Sequence, residues 1–152
     1  VLFLATGAEE VGLAGMIYFL KKYKKELPKK ETYIINIDNV GSGGIKYITE
    51  EGMLGKFRAS SELLSLAESV AKSMNIEVGA RPYRTMPTDA TACLARGYKA
   101  MSIMAFADGA IPNWHWSTDV YENVSEENLK KASGFVLEIV RGLSSQSYLN
   151  SQ

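Results

Sequence analysis

VLFLATGAEEVG, residues 1–12, contains the joint on which the reading of the fold turns. An unbroken apolar run, VLFLAT, gives way to two adjacent carboxylates, Glu9 and Glu10, set between Gly7 and Gly12. The run has the length and composition of a β-strand covered on both faces. The segment after the acids, VGLAGMIYFLKKYKKEL, repeats apolar side chains at helical intervals (Leu13, Met16, Ile17, Leu20) and stops before Pro28. A strand, an acidic turn and a helix in succession are the opening of an α/β layer. The acids themselves admit two readings. Carboxylates near a helix N-terminus are favoured by its macrodipole, by about 0.3–1 kcal/mol each. Alternatively, one carboxylate holds a metal ion while the other moves a proton.

The same alternation continues downstream. TYIINIDNV (32–40) reads as a second buried strand that ends in Asp38 and Asn39, and GSGG as a turn before a short strand, IKYIT. SSELLSLAESVAKSMN (60–75) places Leu63, Leu64, Ala67, Val70, Ala71 and Met74 at helical spacing behind a serine cap, Ser60 or Ser61. IEVGAR is a strand candidate, RPYRTMPT a loop, and DATACLARG a short helix closed by Gly97. KAMSIMAF (99–106) is a further buried strand, followed by a long loop, ADGAIPNWHWSTD. The final helix, SEENLKKASGFVLEIVRGL, is capped by Ser125 and carries Leu129, Ala132, Val136, Ile139, Val140 and Leu143 on one face. Residues 144–152 read as a polar tail. This order predicts a layered α/β fold around a mainly parallel sheet. Ligands of such sheets bind at the carboxyl ends of strands. Glu9 and Glu10, Asp38, and the loop holding His115 each follow a predicted strand.

Bulk properties narrow the classes. The 152 residues carry 17 Lys+Arg against 17 Asp+Glu, a formal net charge of zero, which argues against a nucleic-acid-binding face. The basic stretch KKYKKELPKK fits the solvated end of a helix. A single cysteine, Cys93, excludes an intramolecular disulfide and a cysteine-based zinc finger. No apolar run is long enough for a membrane-spanning helix. An apparently buried strand at residue 1, without an initiator Met, leads us to expect a fragment or processed product of a longer chain.

His115 is the only histidine, in WHWSTD, with Asp119 four residues on. A lone loop histidine is usually an ordinary polar residue. Its sharper reading is as a zinc ligand, completed by carboxylates. Glu10, Asp38 and His115 would then supply two carboxylates and one imidazole, leaving Glu9 free to take a proton from water.

The segments AEEVGLAG, INIDNVGSGG, PTDATACLARGYKAMSI and HWSTDVYENVS, in that order, resemble the zinc aminopeptidases of metallopeptidase family twenty-eight, over about residues 1–143. The resemblance implies a three-layer αβα sandwich, present here as the C-terminal half of a catalytic domain. It implies Glu9 as general base, Glu10 and His115 as ligands of one zinc, and Asp38 as a ligand of a second. Asp89 matches an acid near the catalytic Glu, Asp119 an acid that steadies the histidine loop, and Trp114 a wall of the pocket for the substrate's first side chain. A further ligand His and a bridging Asp are expected from an upstream half, so the isolated chain is expected to be inactive. The usual oxyanion tyrosine is not clearly matched; Tyr83 and Thr85 are the nearest hydroxyls. The resemblance further implies a peptide substrate and two zinc ions in the intact parent. An uncovered sheet edge would make the isolated chain a homo-oligomer. A single-zinc glutaminyl cyclase and a non-catalytic scaffold or receptor-like relative are the competing functions.

Overall fold

Strand and helix alternate as expected, and they build a five-stranded sheet clothed on both faces. The computed structural model describes residues 1–149. In chain order the elements are α1 (Ala14–Lys22), β1 (Tyr33–Ile37), β2 (Gly44–Glu51), β3 (Phe57–Arg58), α2 (Ser61–Ser73), β4 (Gly79–Tyr83), α3 (Asp89–Leu94), β5 (Lys99–Phe106), a 3-10 turn (Tyr121–Asn123) and α4 (Glu126–Leu149). Helix α4 runs past residue 143 into the stretch read as a polar tail, whose residues 150–152 lie outside the described residues. Among the described residues no helix is long and apolar enough to cross a membrane.

The sheet is mixed. β1 pairs parallel with β5, and β2 parallel with β4, while β2 runs antiparallel to β5 and to β3. Strand β5 shows why the layers form. From Ala100 to Phe106 every side chain is buried, and successive residues point to opposite faces. Met101, Ile103 and Ala105 pack with Leu63 and Ala67 of α2 and with Ala132, Phe135 and Ile139 of α4. On the other face Ala100 meets Leu13, Met16 and Leu20 from the α1 segment and Ala90 and Cys93 of α3. Met104 and Phe106 meet Ile48 and Tyr83. Each fully buried Leu, Ile, Met or Phe in these clusters contributes roughly 1.5–3 kcal/mol. The helical spacing read in 60–75 is the buried stripe of α2, with Leu63, Ala67, Val70 and Ala71 inside.

The first strand is a correction. Residues 1–6 form no strand, and Val1, Leu2 and Phe3 are 91%, 67% and 92% exposed. An apolar run becomes a strand only when a neighbour satisfies its N–H and C=O groups. None does so here: among the described residues β1 pairs only with β5. For the same reason β1 is half-buried, and its last residue, Ile37, is exposed.

Candidate metal centre

The turn between Gly7 and Gly12 is held against α1 by close backbone approach. A Cβ on Gly15 would lie 2.1 Å from the Gly7 carbonyl oxygen, so only glycine fits there. Leu13 N–H donates to the Glu9 carbonyl at 2.8 Å, and Ala14 N–H to the Ala8 carbonyl at 3.1 Å. Helix α1 starts at Ala14 and has no acidic residue in its first turn. The macrodipole acts mainly within that first turn. It therefore gives a weak account of Glu9 and Glu10.

Glu10 has a distant partner. Its Oε1 lies 2.8 Å from Nε2 of His115, with both side chains more than half exposed. His115 comes from the loop after β5, where its backbone is left-handed at φ 61°. Trp114 stacks at a tilt against the imidazole, with ring centroids 4.3 Å apart. Asp38 follows β1, and its carboxylate accepts from the Asn39 side-chain amide at 2.8 Å. Because β1 and β5 are parallel, Asp38 and the His115 loop leave the sheet at the same edge. Non-glycine residues with positive φ gather here: Ala8, Leu13, Asn39, Asn113 and His115. Backbone held in that region costs free energy and is typical of functional sites.

These segments enclose a crevice of about 320 Å³, lined by Glu9, Glu10, Asp38, Trp114, His115 and Asp119 among others. Six of the seven side chains singled out from the sequence thus share one wall. The seventh, Asp89, is buried just behind lining residue Thr88. The Asp119 backbone N–H closes a turn onto the Trp116 carbonyl at 3.0 Å. A larger hollow, about 550 Å³ beside the end of α2, holds Glu68 and Lys72, which neutralise each other as an ion pair at 2.7 Å.

The crevice concentrates negative charge. No Lys or Arg is among its lining residues. Glu9 is raised above its ordinary carboxyl value by burial first, then by Asp38, Glu10 and Asp89, with His115 acting in the opposite sense. Asp38 is raised by burial, then by Asp89, Glu51 and Glu10. One Asp89 oxygen, Oδ1, is buried without a hydrogen-bond partner among the described residues. Uncompensated, partly desolvated carboxylates beside an imidazole are the donor chemistry of a divalent ion such as zinc. Glu10 and His115 meet directly as a hydrogen-bonded pair. Asp38 does not join them: among the described residues no three His, Cys, Asp or Glu side chains come together as one ligand group.

Of two further contributors, Tyr83 is named from the sequence only as a nearby hydroxyl without a role, and Glu51 escapes the sequence reading. Tyr83, at the end of β4, lines the crevice and packs on Phe106 at 5.8 Å between ring centroids. Burial, then the charges of Asp38 and Glu9, push its phenol up to about 12. Glu51, at the end of β2, is fully buried below the crevice. The sequence marks it only as a member of a second adjacent Glu pair, Glu50 and Glu51, just past the short strand expected at IKYIT.

The chain belongs to peptidase family M28, whose model matches residues 1–140. Among solved structures it is similar to BSAP, a zinc aminopeptidase from Bacillus subtilis, at 21% identity and a TM-score of 0.68, covering 90% of this chain and 34% of that one. It is similar to the LapA aminopeptidase of Legionella pneumophila at 15% identity and a TM-score of 0.70, covering 88% and 37%. An Acidobacteriales bacterium glutaminyl cyclase matches at 15% identity and a TM-score of 0.65, covering 88% and 46%. At these identities the likeness is one of fold. The chain spans about a third of the length of the two aminopeptidases. No curated protein matches it closely enough to count as a relative.

Proposed function

We propose that the crevice is part of the active site of a zinc-dependent aminopeptidase. The observation that carries this reading is the gathering of Glu9, Glu10, Asp38 and Asp119 with the sole histidine, without a basic side chain, at one edge of the sheet of an M28 chain. Glu10 and His115 would hold one zinc, and Asp38 a second. Zinc bound there supplies Lewis-acid polarisation of the scissile carbonyl and a lowered pKa for water. Glu9 takes the proton of the attacking water and delivers it to the leaving amine. Its desolvated setting makes it a stronger base than an exposed glutamate. Tyr83 keeps its proton at neutral pH and can donate to oxygen that gains charge in the transition state. The carboxylates favour a substrate's free amino terminus, which restricts hydrolysis to the first residue. Trp114, Leu13, Met86 and Met104 provide an apolar wall for its side chain. Asp89 and Asp119 orient the groups that do the chemistry.

The activity is that of a longer protein. The share of the matched chains covered supports this, as does the lack of a third ligand at Glu10 and His115 among the described residues. In this reading, the sequence outside the chain contributes a further imidazole and a bridging carboxylate. Cyclisation of N-terminal glutamine is the second reading, favoured by the glutaminyl cyclase fold match. The intact protein is tested with leucyl and glutaminyl arylamides. Arylamine release from the leucyl compound, abolished by a chelator and restored by zinc, supports the aminopeptidase. Ring closure of the glutaminyl compound alone replaces it with the cyclase, and inertness toward both overturns the enzymatic reading.

A further inference from the structure

Glu51 is fully buried, and the mechanism above makes no use of it. Its Oε2 accepts hydrogen bonds from the hydroxyls of Thr88 and Thr91, the latter at 2.8 Å. These threonines form the reciprocal cap of α3. Thr88 Oγ1 accepts from the Ala90 N–H at 3.1 Å, and Thr91 Oγ1 accepts from the Thr88 N–H at 3.0 Å. Behind them, the Thr88 and Ser102 hydroxyls lie 3.1 Å apart, and the Asn36 amide donates to Ser102 at 3.2 Å. A polar thread therefore passes from β1 through β5 to the first turn of α3 and ends on Glu51. The other Glu51 oxygen, Oε1, has no partner among the described residues.

For stability alone this is a poor arrangement. A buried polar atom without a partner carries a desolvation cost that an apolar side chain of similar shape avoids. Nor does the cap depend on Glu51 for closure. Without it, Thr88 keeps the Ala90 N–H and the Ser102 hydroxyl, and Thr91 keeps the Thr88 N–H. What Glu51 adds is a tie between that cap and β2. Thr88 lines the crevice, and Asp89 follows it at the start of α3. Asp89 is near enough to Glu9 and Asp38 for its charge to act on both.

We propose that Glu51 is a positioning residue of the crevice: by anchoring the first turn of α3 to β2 through Thr88 and Thr91, it sets where Asp89 stands relative to Glu9 and Asp38. Its effect on turnover rests on the metallopeptidase reading above; its effect on geometry rests on the hydrogen bonds alone.

The test is Glu51→Gln and Glu51→Met in the intact protein, followed by three measurements. These are the urea midpoint, the zinc affinity together with kcat and KM, and the carboxyl carbon-13 signal of Asp89 without added metal. The expected result is a midpoint at or above that of the wild type and a displaced Asp89 signal. Zinc affinity or kcat falls by about 10–100-fold, the range for groups that orient metal ligands, with KM little changed. Glutamine retains an acceptor for the threonines, so its effect is the smaller. A purely structural brace gives the opposite pattern: a lowered midpoint, with the Asp89 signal and kcat unmoved in the folded fraction. That pattern overturns the proposal, as does failure of both variants to fold. If the wild type neither binds zinc nor cleaves peptides, the proposed function fails, and the Asp89 signal still decides: both variants lose the Glu51 charge, so a signal displaced further in Glu51→Met than in Glu51→Gln upholds the positioning role, and one displaced equally in both or unmoved ends it.

Discussion

Glu10 Oε1 and His115 Nε2 stand 2.8 Å apart although 105 positions separate them in the chain. Nothing local brings them together. One leaves a turn clamped to α1 through Gly15, and the other a left-handed loop residue beyond β5. Glu9, beside Glu10, is half-buried and faces the repulsion of Asp38 and Asp89. Adjacent residues thus occupy different environments, and their substitutions should separate. In the intact protein, Glu10→Gln or His115→Ala should lower zinc content. Glu9→Gln should leave zinc content nearly unchanged while cutting kcat by about 10²-fold or more, the scale of a lost general base. Metal analysis beside steady-state kinetics checks this, and a Glu9→Gln protein stripped of zinc reverses the assignment.

Asp38 gives a prediction about pH. Burial and its acidic neighbours raise its pKa in the folded state, so the folded chain binds the proton more tightly than the unfolded chain does. Protonation therefore favours folding. The stabilisation is full below the ordinary aspartate range and is lost as pH rises through the raised folded value. Glu9 acts in the same direction. Asp38→Asn should raise the urea midpoint of the metal-free chain at neutral pH and flatten its rise toward acid. Zinc should offset the same repulsion in the wild type: at 100 times its Kd, a ligand specific to the folded state stabilises by about 2.7 kcal/mol. An Asp38→Asn midpoint below that of the wild type at pH 7 contradicts this account.

How much of this was legible beforehand follows from what kind of information each feature needs. The helices α1, α2 and α4 are written in 3.6-residue spacing, and β5 in an apolar run between turns. Glu9, Glu10, Asp38 and His115 could be gathered from the sequence because each follows an apolar segment, and strand ends in α/β folds share an edge. Residues 1–6 have a strand's composition, but composition does not supply a neighbouring strand. Whether Glu51 and Tyr83 face inward depends on the register of β2 with β4, including its shift between Ile48 and Glu50. That register is long-range. It also separates Glu50, paired with Arg84 near the surface, from Glu51 in the interior.

Tyr83 should matter to turnover more than to binding. Its phenol is held neutral by burial and by the acids opposite it, so it is a hydrogen-bond donor at every pH at which the protein would operate. Tyr83→Phe keeps the packing on Phe106 and removes only the donor. The expected result is a kcat lower by about 10²-fold, as when one donor to a developing oxyanion is lost, with zinc content unchanged. A rate close to that of the wild type removes Tyr83 from the mechanism.

The isolated 152-residue chain should show little or no peptidase activity. Glu10 and His115 form a two-donor pair without a third ligand among the described residues. Stable catalytic zinc sites use three protein ligands. Assay of the purified chain with zinc and leucyl-p-nitroanilide should therefore give a rate near background. Robust turnover that a chelator abolishes would show that the described ligands suffice.

The last prediction concerns association of the isolated chain. β1 uses one edge to pair with β5, and among the described residues its other edge is unpaired. The chain also exposes apolar side chains: Ile37 of β1 at 50%, and Val1, Leu2 and Phe3 among the first residues. An open edge carries a row of unsatisfied N–H and C=O groups, a template for another strand. Exposed apolar patches beyond a few hundred Å² commonly find a partner. The two features together favour a two-fold dimer, the commonest closed symmetry, with β1 meeting β1 or with residues 1–6 of one copy against β1 of the other. Replacing Ile35 with proline removes a donor from β1 but also endangers the fold, so the cleaner variant is Leu2→Lys with Phe3→Lys. It changes only exposed positions and places like charges at the contact. Light scattering over a dilution series should show the wild-type chain as a dimer at tens of micromolar and the double lysine variant shifted toward monomer, with unfolding midpoints alike. A wild-type chain that stays monomeric across that range, and unfolds cooperatively, would mean that the β1 edge is tolerated uncovered and that association has no part in the stability of this chain.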